Sequence, residues 1–160
     1  SWQAAYHNLL PSAFLARLSI DRRTAGWEEW LVDDTRQAFV AEEDGRVVGY
    51  VAYGPTRDGD LDVKEAGEVY GIYVHPDAWN QGYGWRLMSL ALAGLREDGF
   101  HLATLWVLKG NERAIRFYER CGFCADGAAK QEHRDPDVVL HELRYRRALA
   151  PGSEARSGHE

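Results

Sequence analysis

Long apolar runs, basic charge and cysteine are all scarce in this sequence, and each scarcity removes a class of protein. No apolar stretch approaches the ~20 residues that would span a bilayer, and no signal-peptide pattern is visible. A cytoplasmic location with no membrane partner is therefore expected. Lys and Arg number 19 against 25 Asp and Glu, a net charge of −6. A nucleic-acid binder would show a basic face, so that partner is set aside. A cationic substrate is compatible with this balance, and so is a merely solvated acidic surface. Two cysteines cannot make a disulfide scaffold. The standard phosphate loops are lacking too. No Lys-Ser/Thr follows the glycines at 82 and 84, and Leu87 stands where G-x-G-x-x-G needs its third glycine.

What is present is 160 residues, 45% hydrophobic and 12% aromatic, enough for one globular domain with its own core. Residues 1–10 read as a helix broken before Pro11, and PSAFLARL as a second short one. Trp27, Trp30 and Leu31 recur at helical spacing after Thr24. QAFVAEEDGRVVGYVAY is two β-runs around Asp44-Gly45, a hairpin signal. A polar loop leads to a strand, EVYGIYVH, ended by Pro76. After Gly84 a helix carries Leu87, Leu90, Ala91 and Leu95 on one stripe and stops at Gly99. Gly94 shares that stripe and would let a neighbour pack close. LATLWVL, nearly all apolar, predicts a central strand buried on both faces. NERAIRFYERCGF predicts a helix ended at Gly122, and VVLHELRYR an alternating last strand. The expected class is α/β (α+β): a mixed sheet flanked by helices, with one crossover. Residues 1–147 form the domain and 148–160 a flexible tail.

Two motifs carry chemistry. NQGYG lies at a strand–loop–helix junction, where free amides and the helix dipole can hold an anion such as phosphate. On these five residues alone, an ordinary glycine-rich turn is equally good. Some 30 residues on, the second motif follows a strand: Asn111, Ala114, Tyr118 and Gly122-Phe123.

Together, HPDAWNQGYGWRLM and LWVLKGNERAIRFYERCGF resemble the GNAT superfamily of N-acetyltransferases. That pattern is V-x-P, R/Q-x-x-G-x-G/A, a helix, a strand, and N-x-x-(A)-x-x-x-Y-x-x-x-G-F. One place departs from it: the R/Q position holds Trp79. The resemblance implies an acetyl-CoA-dependent transferase acting on a primary amine by direct attack, without a covalent enzyme intermediate. It implies that the amides of Asn80, Gln81, Gly82, Tyr83, Gly84 and Trp85 cradle the pyrophosphate. The pantetheine arm would lie along Ile72, Tyr73 and Val74 like an added strand. A bulge near Gly71 would splay this strand from LATLWVL, and backbone N–H groups near Tyr73 and Val74 would polarise the thioester carbonyl.

Tyr118 is then either the acid that protonates the leaving thiolate or a core aromatic beside Ala114, Phe117 and Cys121. Asn111 is a helix N-cap, a pantetheine ligand, or both. Glu68, opening its strand, is either the base for the amine or a solvated strand-end carboxylate. Some protein N-terminal acetyltransferases instead carry a glutamate five residues before the asparagine; here Trp106 stands there. Trp27, Trp30 and Tyr53 are candidates for the acceptor wall, with buried packing as the default for each. The likeness extends to a subgroup of bacterial small GNAT proteins, with a small-molecule amine favoured as acceptor and a homodimer compatible. The family's first strand is expected to be missing. A protein acceptor and a non-catalytic acyl-CoA sensor are the rival readings.

Two further patterns are set aside. Cys121-Gly122-Phe123-Cys124 spells C-x-x-C but closes a helix where a redox motif should open one, and the histidines lack zinc-site spacing. Asp58, Asp60 and Asp62 echo a calcium loop, yet Val63 and Val69 replace its glycine and terminal glutamate. A solvated loop is expected there, and no metal.

Overall fold

The computed structural model describes residues 34–151. The expected helices before them, with Trp27 and Trp30, lie outside the described residues. Within them run β1 (Gln37–Glu43), β2 (Arg46–Pro55), β3 (Ala66–Val74) and α1 (Tyr83–Glu97), followed by β4 (Leu102–Leu108), α2 (Glu112–Arg120), β5 (Cys124–Asp135) and β6 (Val138–Ala148). No helix among these residues is long and apolar enough to cross a membrane.

The six strands form one mixed sheet in the order β1-β2-β3-β4-β6-β5. Asp44 and Gly45 both take positive φ, 52° and 76°, the geometry that a tight β1–β2 hairpin needs. The β3–α1–β4 crossover makes β3 and β4 parallel; every other neighbouring pair is antiparallel. β4 is central as expected, with Ala103, Thr104, Leu105, Val107 and Leu108 buried.

α1 packs on β1, β2 and β3 through Leu87, Met88, Ala91, Leu92 and Leu95. The expected stripe is right except at Leu90, which is 46% exposed. Met88 and Leu92 take its place, so the buried stripe is turned toward their side of the helix. Gly94 permits the close approach foreseen for it. A Cβ there would lie 2.2 Å from the Tyr53 hydroxyl oxygen, so that ring occupies the missing side chain's space. α2 adds Ile115, Phe117 and Tyr118 to the core, and its C-cap residue Cys121 joins them.

β5 was not singled out by the sequence. Ala148 pairs with Leu102, and Leu149 is buried with its N–H on the His101 carbonyl.

Candidate active site

The β3–β4 ladder consists of Ala66–Leu102, Gly67–Ala103 and Glu68–Thr104 and then stops. β3 continues to Val74 and β4 to Leu108 without pairing to each other, so the sheet splays. The cause is local: the β2–β3 register shifts between Ala52 and Tyr53, leaving Tyr70 as the extra residue, next to the Gly71 expected at the bulge. The splay opens into a cleft of about 1230 Å³.

Both helices start at this cleft. α1 is capped by Gly82 at φ 83°, with no side chain accepting from its first amides. Those amides have no intrahelical partners, so they and the dipole offer an anion site. A Cβ on Gly82 would meet nothing within 4 Å. Glycine is therefore required for its left-handed backbone, not for room. Asn80 is left-handed too, at φ 63°. Asn111 caps α2, its Oδ1 accepting from the Ala114 N–H at 3.3 Å, and lines the cleft as well.

Ile72, Tyr73, Val74, Asn80, Gly82, Tyr83, Gly84, Trp85, Glu68 and Tyr118 all line this one cleft. Gln81 does not: it is exposed between the two left-handed residues that turn the chain. Tyr53 does not either. It is 1% exposed, its hydroxyl donating to Gln37 Oε1 at 2.8 Å over Gly94. It is a core residue on the α1 side, the buried packing that was its default reading, and not part of an acceptor wall. Burial, helped by the nearby Asp98 and Glu97 charges, pushes its hydroxyl pKa up.

Glu68 is no solvated strand end. At 1% exposure, it accepts from the Arg57 backbone N–H at 3.0 Å, from Nε at 3.1 Å and from Nη2 at 2.5 Å. Tyr118 sits half-buried between Phe117 and Phe123, ring centres 5.7 and 6.3 Å away.

Several cleft contacts had no signal in the sequence. Arg113 places its guanidinium 3.5 Å from the centre of the Trp79 ring, and the Trp79 indole N–H donates to the Val74 carbonyl at 2.8 Å. Trp106 carries the Lys130 ammonium 4.2 Å from its ring centre, and that ammonium lies 3.7 Å from Glu142. Burial pushes the Glu142 carboxyl pKa up, with Lys130 opposing and Glu132 adding to the shift.

The aspartate loop is not merely solvated. Asp58 and Asp60 bind Arg144, which is 6% exposed, at 3.2 and 2.8 Å, and Asp126 holds its Nε at 2.6 Å. Trp106 Nε1 also donates to Asp58 at 3.1 Å. The hydrogen bonds to Asp60 lead the rise in Arg144's pKa, and the same contact lowers that of Asp60. Cys121 is buried and Cys124 exposed, and burial pushes the Cys121 thiol pKa to about 11. Among the described residues no three His, Cys, Asp or Glu side chains converge as a metal site.

Known proteins are similar to this chain. The acetyltransferase (GNAT) family model matches residues 2–123. An uncharacterised N-acetyltransferase of Methanocaldococcus jannaschii is 34% identical over 104 residues, 64% of this chain and 46% of that protein, so this chain spans under half its length. An uncharacterised N-acetyltransferase of Bacillus subtilis is 29% identical over 144 residues, 89% of this chain and 79% of that one. The solved ribosomal-protein-alanine N-acetyltransferase of Brucella melitensis is similar at TM-score 0.66 and 27% identity, covering 82% of this chain and 80% of that one.

Proposed function

Since the chain belongs to the acetyltransferase (GNAT) family, we propose that it moves acetyl from acetyl-CoA to the primary amine of a small molecule. The observation that carries the site assignment is the splay. Beyond Glu68 and Thr104, β3 has no β4 partner, and its edge leads straight to the uncapped start of α1.

The residues fit the cosubstrate. Open amides at Gly82, Tyr83 and Gly84 suit a pyrophosphate, and the unpaired edge at Ile72, Tyr73 and Val74 suits an amide-bearing arm. Asn111 closes the same wall. The thioester supplies an activated acetyl group; the protein's part is to position it and to manage protons.

Backbone N–H groups near Tyr73 and Val74 polarise the carbonyl, and the Tyr118 hydroxyl donates to the departing sulfur. Glu68 anchors a water relay that takes the amine's proton. A carboxylate offers about four lone-pair sites, so the relay uses what Arg57 leaves uncovered.

A small acceptor is favoured because Trp106 stands where some protein N-terminal acetyltransferases carry a glutamate. The rival, a protein N-terminus or lysine, draws support from the Brucella neighbour's name. The test is a panel of small amines and peptides with acetyl-CoA, following thiol release. Turnover with amines but not peptides is expected; release with peptides alone would reverse the choice. Binding of acetyl-CoA with no release on any amine would leave the sensor reading.

A further inference from the structure

We infer that Lys130 is a self-acetylation site: its side chain is held in the cleft as an internal acceptor amine, beside the carboxylate that can deprotonate it. This rests on the acetyl-transfer reading of the cleft above.

The chain has only three lysines, at 64, 109 and 130. Of these, Lys130 alone lines the cleft, while Lys64 and Lys109 are exposed elsewhere. β5 carries Lys130 opposite Glu142 of β6, and its ammonium is fixed from two sides, by the Trp106 ring at 4.2 Å and by Glu142 at 3.7 Å. Trp106 is two residues beyond Thr104, the last β4 residue paired with β3. At about 3.3 Å per strand residue, that is roughly 7 Å from the vertex of the splay, where Glu68 sits.

Glu142 suits the proton step. Its Oε2 is buried and has no hydrogen bond, and burial raises its pKa, which strengthens it as a proton acceptor.

The step balances without a further reactant. Glu142 takes one proton from the Lys130 ammonium, and the neutral Nζ adds to the acetyl carbon. The C–N bond forms as the C–S bond breaks. The sulfur leaves with its electron pair and is protonated to free CoA, while the amide nitrogen gives up its second proton to solvent. The product has no charge to hold against Trp106 or Glu142, so the modification frees the aromatic face and the carboxylate together.

The test incubates the full chain with acetyl-CoA and no added amine, then reads each lysine peptide by mass spectrometry. Lys64 and Lys109 report uncatalysed acetylation in the same tube. Lys130 is expected to gain an acetyl group at least about tenfold faster, a small share of what intramolecular positioning can supply. Its rate constant should not change on diluting the protein. Glu142→Gln should slow it by about 10²-fold, the low end of proton-transfer catalysis, in a variant whose melt shows it folded. Equal rates at the three lysines, or a rate that rises with protein concentration, would overturn the inference. The amine panel run in parallel separates the two readings. CoA release on added amines with Lys130 unmodified overturns this inference alone; no release and no modification removes both.

Discussion

Arg113 and Trp79 form one unit. The guanidinium lies 3.5 Å from the ring centre, and the indole is tied to the end of β3 through the Val74 carbonyl. Trp79 occupies the position where the GNAT pattern carries Arg or Gln, so the charge missing from the loop is returned by α2. Arg113→Ala should raise the KM for acetyl-CoA about tenfold, ~1.4 kcal/mol, with kcat little changed. Arg113→Lys should not restore it, because an ammonium lacks the planar stacking surface. An unchanged KM in a folded Ala variant would remove Arg113 from the cofactor site.

Gly82 separates conformation from space. Its φ is 83° and no atom stands near the place a Cβ would take, so a side chain finds room but a costly backbone. Gly82→Val should therefore raise the acetyl-CoA KM steeply in a still-folded protein. Gly82→Asn, which tolerates the left-handed region, should be much milder. Equal effects of the two would mean that bulk, not backbone, matters there.

Tyr118→Phe keeps the packing on Phe117 and Phe123 and removes only the hydroxyl. If that hydroxyl protonates the leaving sulfur, kcat should fall by ~10²–10⁴-fold while acetyl-CoA binding holds. A packing role alone predicts near-normal kcat and a stability loss of about 1 kcal/mol. Saturating amine and a thermal melt on the same sample tell the two apart.

The cysteines give a chemical contrast. With its thiol pKa raised to about 11 and its side chain buried, Cys121 should resist alkylation at about pH 8, where exposed Cys124 reacts. Changing both to alanine should preserve acetyl transfer within a few-fold. Lost turnover in a folded double variant would make the C-x-x-C pair functional.

Glu142 makes a prediction about stability. Burial raises its pKa in the folded chain above the ordinary glutamate value. The folded state thus binds this proton more tightly than the unfolded one, and stability falls as pH rises from the unfolded value through the folded one. Above both, the whole cost is present. Glu142→Gln should melt at or above the wild type near pH 7 and lose that advantage by about pH 4. A lower melt for Gln at neutral pH would show that the Lys130 pairing outweighs burial.

Where a residue's job is set by its own neighbours in sequence, the chain was readable. Asp44-Gly45 fixed a turn, the apolar run of β4 announced a central strand, and the glycines at 82 and 84 marked the start of α1. β5 escaped because it is an edge strand, mostly exposed, and KQEHRD has no apolar alternation to betray it. The cleft's long-range pairs escaped for a related reason. Arg113 on Trp79, Lys130 on Trp106 and Arg144 on Asp58 exist only once the sheet brings distant strands together. Tyr53 and Glu68 each had two readings in the sequence, because strand position alone tells neither which face carries the helix nor that Arg57 folds over Glu68.

The Arg144 cluster has a mechanical consequence. Arg144 and Trp106 belong to the β4-β6-β5 half of the sheet, and Asp58 and Asp60 to the loop that leaves the β1-β2-β3 half. They brace the wedge with ion pairs close to its vertex, beside the short parallel ladder, whereas towards the strand ends at Val74 and Leu108 the two halves meet through the Arg113–Trp79 stack. Compliance is therefore uneven along the wedge. The stacked end, proposed for the nucleotide, yields more readily than the ion-paired end at Glu68, proposed for the acetyl group and its amine.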